Sequence, residues 1–112
     1  MPRSATTADP FNAIAERQRR RILDLLTGGE FSVNEIVLRL GLAQPQISKH
    51  LRVLRAVDLV RVREDGRQRI YSLNAKRLKP IHDWTATFER FWDQQLDRIK
   101  QRAESAAARK KS

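Results

Sequence analysis

The sequence predicts a mostly helical domain with one small β-hairpin, in the element order α-α-α-α-β-β-α. Apolar residues recur at helical spacing from Phe11 to Leu54, and then alternate with polar residues in two short runs within residues 59–73. Helical spacing returns after Asn74 and continues to Ile99. The chain has only four glycines and four prolines among its 112 residues, so regular structure should occupy most of it.

Two short helices are predicted near the beginning of the chain. Asp9 followed by Pro10 is the usual pair of an N-cap residue and a first helical residue, so the first helix begins there. The second helix occupies residues 16–27, and the pair Gly28-Gly29 ends it. Apolar side chains at helical spacing give each helix one face for a core.

The third and fourth helices form a helix-turn-helix pattern. Ser32 and Glu35 have the spacing of a capping box, in which each side chain accepts a hydrogen bond from a backbone N–H at the helix start. Gly41 supplies the left-handed turn after the third helix. Pro45 is tolerated in a first turn and marks the start of the fourth helix, which runs to about Val57. Two helices joined by a short glycine-containing turn are typical of DNA-binding proteins.

The fourth helix has one apolar and one polar face. Ile47, Leu51 and Leu54 follow helical spacing and should be buried. A rotation of about 100° per residue places amide and basic side chains, together with Val53, on the other side, where they can reach base edges. The predicted DNA-binding residues of this helix are Gln44, Gln46, Ser48, Lys49, His50 and Arg52. The alternative is an ordinary solvated face, and His50 in particular either touches a phosphate or packs beside the core with one ring nitrogen hydrogen-bonded.

A basic β-hairpin follows this helix. Asp65-Gly66 lies between two alternating runs, which is a strong signal for a hairpin turn. Basic side chains along such a wing would contact DNA phosphates or enter a minor groove, whereas Glu64 and Asp65 oppose phosphate binding at the tip. The predicted DNA-binding residues of the hairpin are Arg63, Arg67, Gln68 and Arg69. The alternative is a solvated hairpin that its charge protects from edge-to-edge aggregation.

The last helix carries more aromatic surface than so small a domain can easily bury. Pro80 should either start this helix or kink it. A wide apolar stripe normally pairs with another surface, and a two-fold partner would hold two DNA-binding heads at a fixed spacing. The alternative is packing within one chain against the first helix. The predicted homodimer interface comprises Phe11, Ile14, Ile81, Trp84, Phe88, Phe91 and Trp92.

Charge and composition restrict the partner and exclude several classes of protein. Lys and Arg outnumber Asp and Glu by 23 to 13, a formal net charge of +10 that favours a polyanionic partner. No apolar stretch approaches the ~20 residues that span a bilayer, and the basic residues are not gathered on one amphipathic helix. We therefore expect a cytoplasmic protein that binds double-stranded DNA and no membrane, with residues 1–8 flexible, 9–102 forming the domain and 103–112 a disordered basic tail.

The sequence offers little for metal, cofactor or catalytic chemistry. There is no cysteine, and only His50 and His82 remain as soft ligands, so no metal and no cofactor are expected. No glycine-rich phosphate loop is present, and neither histidine is spaced plausibly with a nucleophile and an acid, which argues against an enzyme. A winged-helix module for protein or RNA is the alternative, but Gln46, Lys49 and Arg52 favour DNA.

Residues 41–73, GLAQPQISKHLRVLRAVDLVRVREDGRQRIYSL, resemble the ArsR-type winged helix-turn-helix repressors, and the resemblance extends over about residues 9–100. Asp83-Trp84 and 90–92 (Arg-Phe-Trp) resemble the metal-independent branch of SdpR-like autorepressors. This resemblance implies a dimeric repressor whose fourth helix reads DNA, whose hairpin is the wing and whose terminal helices dimerise. Its inducer and operator sequence are not implied.

The chain departs from the family pattern at several positions. Ala43 stands where the family has Ser, which removes an N-cap hydroxyl, and Asp58 must form a left-handed turn for which relatives use Gly. Metal-binding members use a Cys pair on the third helix, or Asp and His residues with a second His on the last. Neither set is present here.

Overall fold

The first two helices are separate, and Glu16 forms the break between them. The computed structural model describes residues 9–111, with side chains described through residue 108; the predicted flexible segment 1–8 lies outside these. Helix α1 (Pro10–Ile14) is capped by Asp9, whose carboxylate accepts a hydrogen bond from the backbone N–H of Phe11. Helix α2 (Arg17–Leu26) begins after Glu16, which is extended and accepts from the Arg19 N–H at 3.1 Å.

Arginines of α2 bind the carboxyl ends of two other helices. Arg19 Nε donates to the Ala13 carbonyl at 2.6 Å, and Arg20 donates to the Ile14 carbonyl at 2.7 Å. A third guanidinium, that of Arg21, donates to the backbone carbonyl of residue 40 at 3.2 Å. Because the last carbonyls of a helix have no partner within it, these hydrogen bonds satisfy them and fix the helices against one another.

The predicted capping box and helix-turn-helix are confirmed. A two-residue strand β1 (Phe31–Ser32) leads into α3 (Val33–Leu40), where the Ser32 hydroxyl accepts from the Glu35 N–H and the Glu35 carboxylate accepts from the Ser32 N–H. Gly41 ends α3 with φ 69°. Helix α4 (Gln44–Ala56) follows, and its N-cap residue forms no side-chain hydrogen bond, as expected for alanine.

Removal of the Ser32 hydroxyl should destabilise the fold measurably. Ser32 is only 4% exposed, and Ser32→Ala leaves an N–H of the first turn of α3 without its partner. We expect a loss of about 1 kcal/mol in the free energy of unfolding at neutral pH, measured by urea titration. Thr27→Ala removes a hydroxyl that bonds only a helix-end carbonyl on an exposed site, and it serves as the control. An equal loss in both variants would contradict the capping assignment.

The same variant should change the acid dependence of stability. Hydrogen bonds from the Ser32 backbone and then the Ser32 side chain hold the pKa of Glu35 below its ordinary value. A lowered folded-state pKa contributes stability above the ordinary pKa, and this contribution is lost as pH falls through the lowered one. Ser32→Ala should therefore flatten the acid limb of a stability-pH curve.

The hairpin is confirmed, and it belongs to a sheet with one more strand than predicted. Strands β2 (Val60–Asp65) and β3 (Gln68–Leu73) are antiparallel, joined by a turn with Gly66 at φ 64°. β1 pairs with the other edge of β3, giving the order β1-β3-β2. A two-residue strand has no alternation to detect, which is why sequence patterning missed it. Asp58 adopts the predicted left-handed turn, with φ 62°.

One core joins α2, α3, α4 and the sheet. Val53 is half-buried against this core, which corrects its predicted place on the outer side of α4. Helical spacing alone leaves such an intermediate position on the helix undecided. The fully buried large side chains are Ile22, Ile36, Ile47, Leu51, Leu54, Val57, Leu59 and Val60.

The predicted last helix is divided in two. After a 3₁₀ turn (Ala75–Leu78), helix α5 (Lys79–Ala86) contains Pro80 in its first turn, so Pro80 starts the helix and does not kink it. The break comes at residues 87–88, where the Thr87 hydroxyl donates to the Trp84 carbonyl at 2.7 Å. Helix α6 (Glu89–Lys111) then follows.

The chain forms two compact units, which divide after Ile81. In the second unit, α6 is helical to Lys111, which differs from the disordered tail predicted over residues 103–112. Alanine, glutamate, arginine and lysine dominate this segment and have high helix propensity, so the helix continues without large apolar residues. Among residues 9–111, no helix combines the length and apolar character needed to cross a bilayer.

Candidate nucleic-acid interface

The outer face of α4 presents polar side chains opposite its anchored inner face. Ile47, Leu51 and Leu54 are at most 1% exposed, which fixes the rotation of the helix about its axis. The predicted residues Gln44, Gln46, Lys49 and Arg52 are all exposed. Ser48 is half-buried, and its hydroxyl accepts a hydrogen bond from Gln44 at 3.1 Å. The helix therefore offers amide and basic groups on a surface that a major groove can accommodate.

His50 is placed apart from this outer face. Its side chain is 15% exposed, and Nδ1 lies 3.8 Å from a carboxylate oxygen of Glu16. Within residues 9–108 that nitrogen is buried and has no hydrogen-bond partner. Burial acts to raise the pKa of Glu16, but backbone hydrogen bonds from Arg19 and Gln18 and the charges of His50 and Arg19 together outweigh it and lower the pKa. His50 thus packs at the junction of α4 and α2.

The predicted wing residues differ in their charge environment. Arg63 Nε donates to Glu30 at 2.7 Å, and its guanidinium also lies 3.9 Å from the Asp65 carboxylate. The positive charge of Arg63 is therefore largely balanced within the protein. Arg67, Gln68 and Arg69 are exposed near the turn and along β3.

A basic cleft separates α4 from β3. It has a volume of about 340 Å³ and is lined from both elements. The polar and aromatic residues that line it are Gln44, Ser48, Arg52, Arg55, Arg69 and Tyr71. Arg55 was not predicted as a site residue. Gln44, Ser48 and Arg52 precede it on α4 at intervals of three or four residues, so all four share one side of the helix. This spacing is the signal that could have identified Arg55.

Four of the predicted dimer residues form an exposed apolar stripe in the second unit. Trp84, Phe88, Phe91 and Trp92 are 42–57% exposed, and the rings of Trp84 and Phe88 meet edge to face at 5.4 Å. Leu96 and Ile99 continue the stripe along α6 and are also exposed. In the first unit, Phe11 is exposed, while Ile14 and Ile81 are half-buried.

Side chains of the types that bind metals lie scattered over the fold. Among residues 9–111, no three His, Cys, Asp or Glu side chains are grouped in a way that could hold a metal ion. His82 Nδ1 lies 3.5 Å from the neighbouring Asp83 carboxylate, and both side chains are exposed.

Comparisons with known proteins agree with this architecture. A family profile described as a helix-turn-helix domain matches residues 14–63. The transcriptional repressor SdpR of Bacillus subtilis (strain 168) is 35% identical over 78 residues, covering 70% of this chain and 87% of SdpR. An ArsR-like transcriptional regulator from Rhodococcus sp. RHA1 superposes with a TM-score of 0.65 at 29% identity, over 90% of this chain and 95% of that one. The chain belongs to the ArsR family.

Membership of the ArsR family confirms the predicted fold class and the predicted kind of function. The protein is a DNA-binding transcriptional regulator with a winged helix-turn-helix, and the family consists of regulators and not of enzymes. A further relative is the transcriptional activator HlyU of Vibrio cholerae serotype O1, which is 36% identical over 78 residues, 70% of this chain and 72% of HlyU. Relatives of this ArsR-family protein therefore include named repressors as well as a named activator.

Proposed function

We propose that this ArsR-family protein is a homodimeric repressor that binds an inverted-repeat operator in double-stranded DNA. The observation that carries the proposal is the pair of opposed faces on α4. Its inner leucines are buried, and Gln46, Lys49 and Arg52 project outward from the second helix of a helix-turn-helix. In this proposal Gln46 pairs with adenine, Lys49 and Arg52 reach guanine or backbone, and Arg67, Gln68 and Arg69 contact the backbone beside the wing.

The direction of regulation is proposed from the similarity to SdpR, whose name states that it is a repressor. A DNA-binding regulator represses most simply by occupying DNA that RNA polymerase needs. A reporter driven by the operator should therefore fall when the protein is produced. A rise in reporter expression would instead indicate an activator, which is what the name of HlyU states for that relative. Because its target is DNA, we propose that it acts in the cytoplasm.

Base reading by Gln46 is tested with a single substitution. Gln46→Ala should cost about 1–3 kcal/mol on the best operator, because it removes one bidentate hydrogen-bonded pair with a base, while binding to random DNA stays nearly unchanged. The operator is first selected from random duplexes, and affinities are then measured on all four bases at each position. Gln94→Ala, an exposed glutamine on α6, is the matched control. Equal losses on operator and random DNA would remove Gln46 from the base-reading set.

Metal independence, as in the SdpR-like branch, is the second feature of the proposal. The chain has no cysteine, and its two histidines lie 32 positions apart at residues 50 and 82. We expect zinc, nickel or copper at low micromolar concentration to leave operator affinity unaltered in fluorescence anisotropy. A tight, stoichiometric titration that releases DNA would overturn metal independence without affecting the DNA-binding assignment.

A further inference from the structure

A continuous basic channel runs along β3 beside the base-reading face of α4. The cleft of about 340 Å³ between α4 and β3 adjoins a second cavity of about 270 Å³, because Val33, Gln44 and Arg69 line both. The second cavity extends to Arg67 near the turn of the hairpin. We call the two together the α4–β3 channel. Its lining by both the helix and the wing distinguishes it from a pocket within a single element.

The charges in this channel are positive and unbalanced. Arg52, Arg55 and Arg69 form no ion pair with any carboxylate in the part of the chain that the structure describes, and no Asp or Glu lines either cavity. Arg63, on the neighbouring strand β2, differs because its guanidinium pairs with the carboxylates of Glu30 and Asp65. Guanidinium groups left without partners around a concave surface favour an anion with several oxygens.

The position of the channel identifies which anion fits. If α4 lies in a major groove and the hairpin lies at the adjacent minor groove, the sugar-phosphate strand between those grooves must pass between α4 and β3. We propose that the α4–β3 channel holds this strand, and that Arg55 and Arg69 each bind one of its phosphates, from opposite walls. This inference rests on the proposed function, and it assigns to Arg55 a role that the base-reading face does not include. Gln44 and Ser48 supply neutral polar groups along the same wall.

Charge-neutralising variants of the full-length protein test this assignment. Arg55→Gln and Arg69→Gln should each weaken binding about tenfold on operator and random duplexes alike. They should also reduce the slope of log affinity against log salt by about 0.9 for each phosphate that the variant no longer neutralises. Arg55→Lys, which keeps the charge, should retain the slope. Arg17→Gln removes the same charge from an exposed position on α2 and is the matched control.

A neutral phosphate analogue locates the two bound phosphates on the DNA. Methylphosphonate is introduced at one backbone position per half-site in turn, and two positions should weaken wild-type binding but leave the Arg55→Gln, Arg69→Gln double variant unaffected. An equal slope change for Arg17→Gln would show a net-charge effect and overturn the site. If both channel variants kept the wild-type salt slope while Gln46→Ala still relaxed base preference, the phosphate site in the channel would be overturned. The proposed function would remain intact. A wild-type protein without any operator preference would contradict base reading, but the channel variants would still lower the salt slope on random DNA.

Discussion

Replacing Phe88 and Phe91 together with glutamate is expected to convert a homodimer into monomers. Both rings belong to the exposed stripe of the second unit and are 42% and 57% exposed in the single chain. Burial of about 100 Å² of apolar surface per aromatic ring contributes about 2.5 kcal/mol before the cost of ordering is subtracted. Four glutamates across a two-fold axis would remove this contribution and add like-charge repulsion.

Loss of the dimer should then remove most of the operator affinity. Two α4 helices related by a two-fold axis would occupy successive major grooves about 34 Å apart, so the operator should be an inverted repeat with half-sites one turn apart. The monomeric variant should bind a half-site weakly and gain little from the full operator. Sedimentation velocity at micromolar concentration measures the oligomeric state, and footprinting measures the symmetry of the protected site.

A matched control distinguishes the apolar stripe from the added charge. Gln101→Glu together with Ala108→Glu adds the same charge to exposed positions that helical spacing places on the side of α6 away from the aromatic rings. This control should remain dimeric. A wild-type monomer at micromolar concentration, or a protected site without two-fold symmetry, would be incompatible with the proposed homodimer.

Truncation of Leu54 to alanine should produce the largest loss of folding stability among single substitutions on α4. Leu54 is 0% exposed and lies on the inner face that anchors the base-reading helix. Leu→Ala at such a site removes the transfer free energy of the side chain and leaves a cavity, together about 2–5 kcal/mol. Since small domains are stable by about 5–15 kcal/mol, this is a large fraction of the total.

Leu38→Ala is the control for this measurement. Leu38 lies on α3 and is 82% exposed, so its truncation should change the free energy of unfolding by no more than about 0.5 kcal/mol. Both variants are compared by urea unfolding at one fixed protein concentration, because a dimer's stability depends on concentration. A loss for Leu54→Ala as small as that for Leu38→Ala would mean that the inner face of α4 does not anchor it.

Local signals predicted most of the first unit. Asp9-Pro10, the capping box at Ser32 and the left-handed turn at Gly41 each concern residues within four positions of one another, and the structure has all three. The hairpin turn at Asp65-Gly66 is equally local. The candidate base-reading residues were predicted for the same reason, because the buried leucines of α4 fix which side faces outward.

Interactions between distant segments were beyond the reach of sequence patterning. Arg63 is a basic wing residue by sequence, but Glu30, 33 positions earlier, pairs with it. β1 becomes a strand because Phe31 lies opposite Tyr71 across the sheet edge. The sequence places His50 between the two faces of α4, and only the fold brings it beside Glu16, 34 positions earlier in the chain.

The sequence by itself determined where the first four helices and the hairpin lie, which side of α4 is polar, and the excess of positive charge. Capping, turn formation and amphipathic spacing act over a few residues, so their physical causes are present in any short segment. Only the tertiary structure decided which arginines keep their charge available and which do not. Arg55 and Arg69 line one channel without a carboxylate partner among the described residues, whereas Arg63 is paired with the carboxylate of Glu30. The difference depends on which side chains the folded chain brings within 4 Å of each guanidinium.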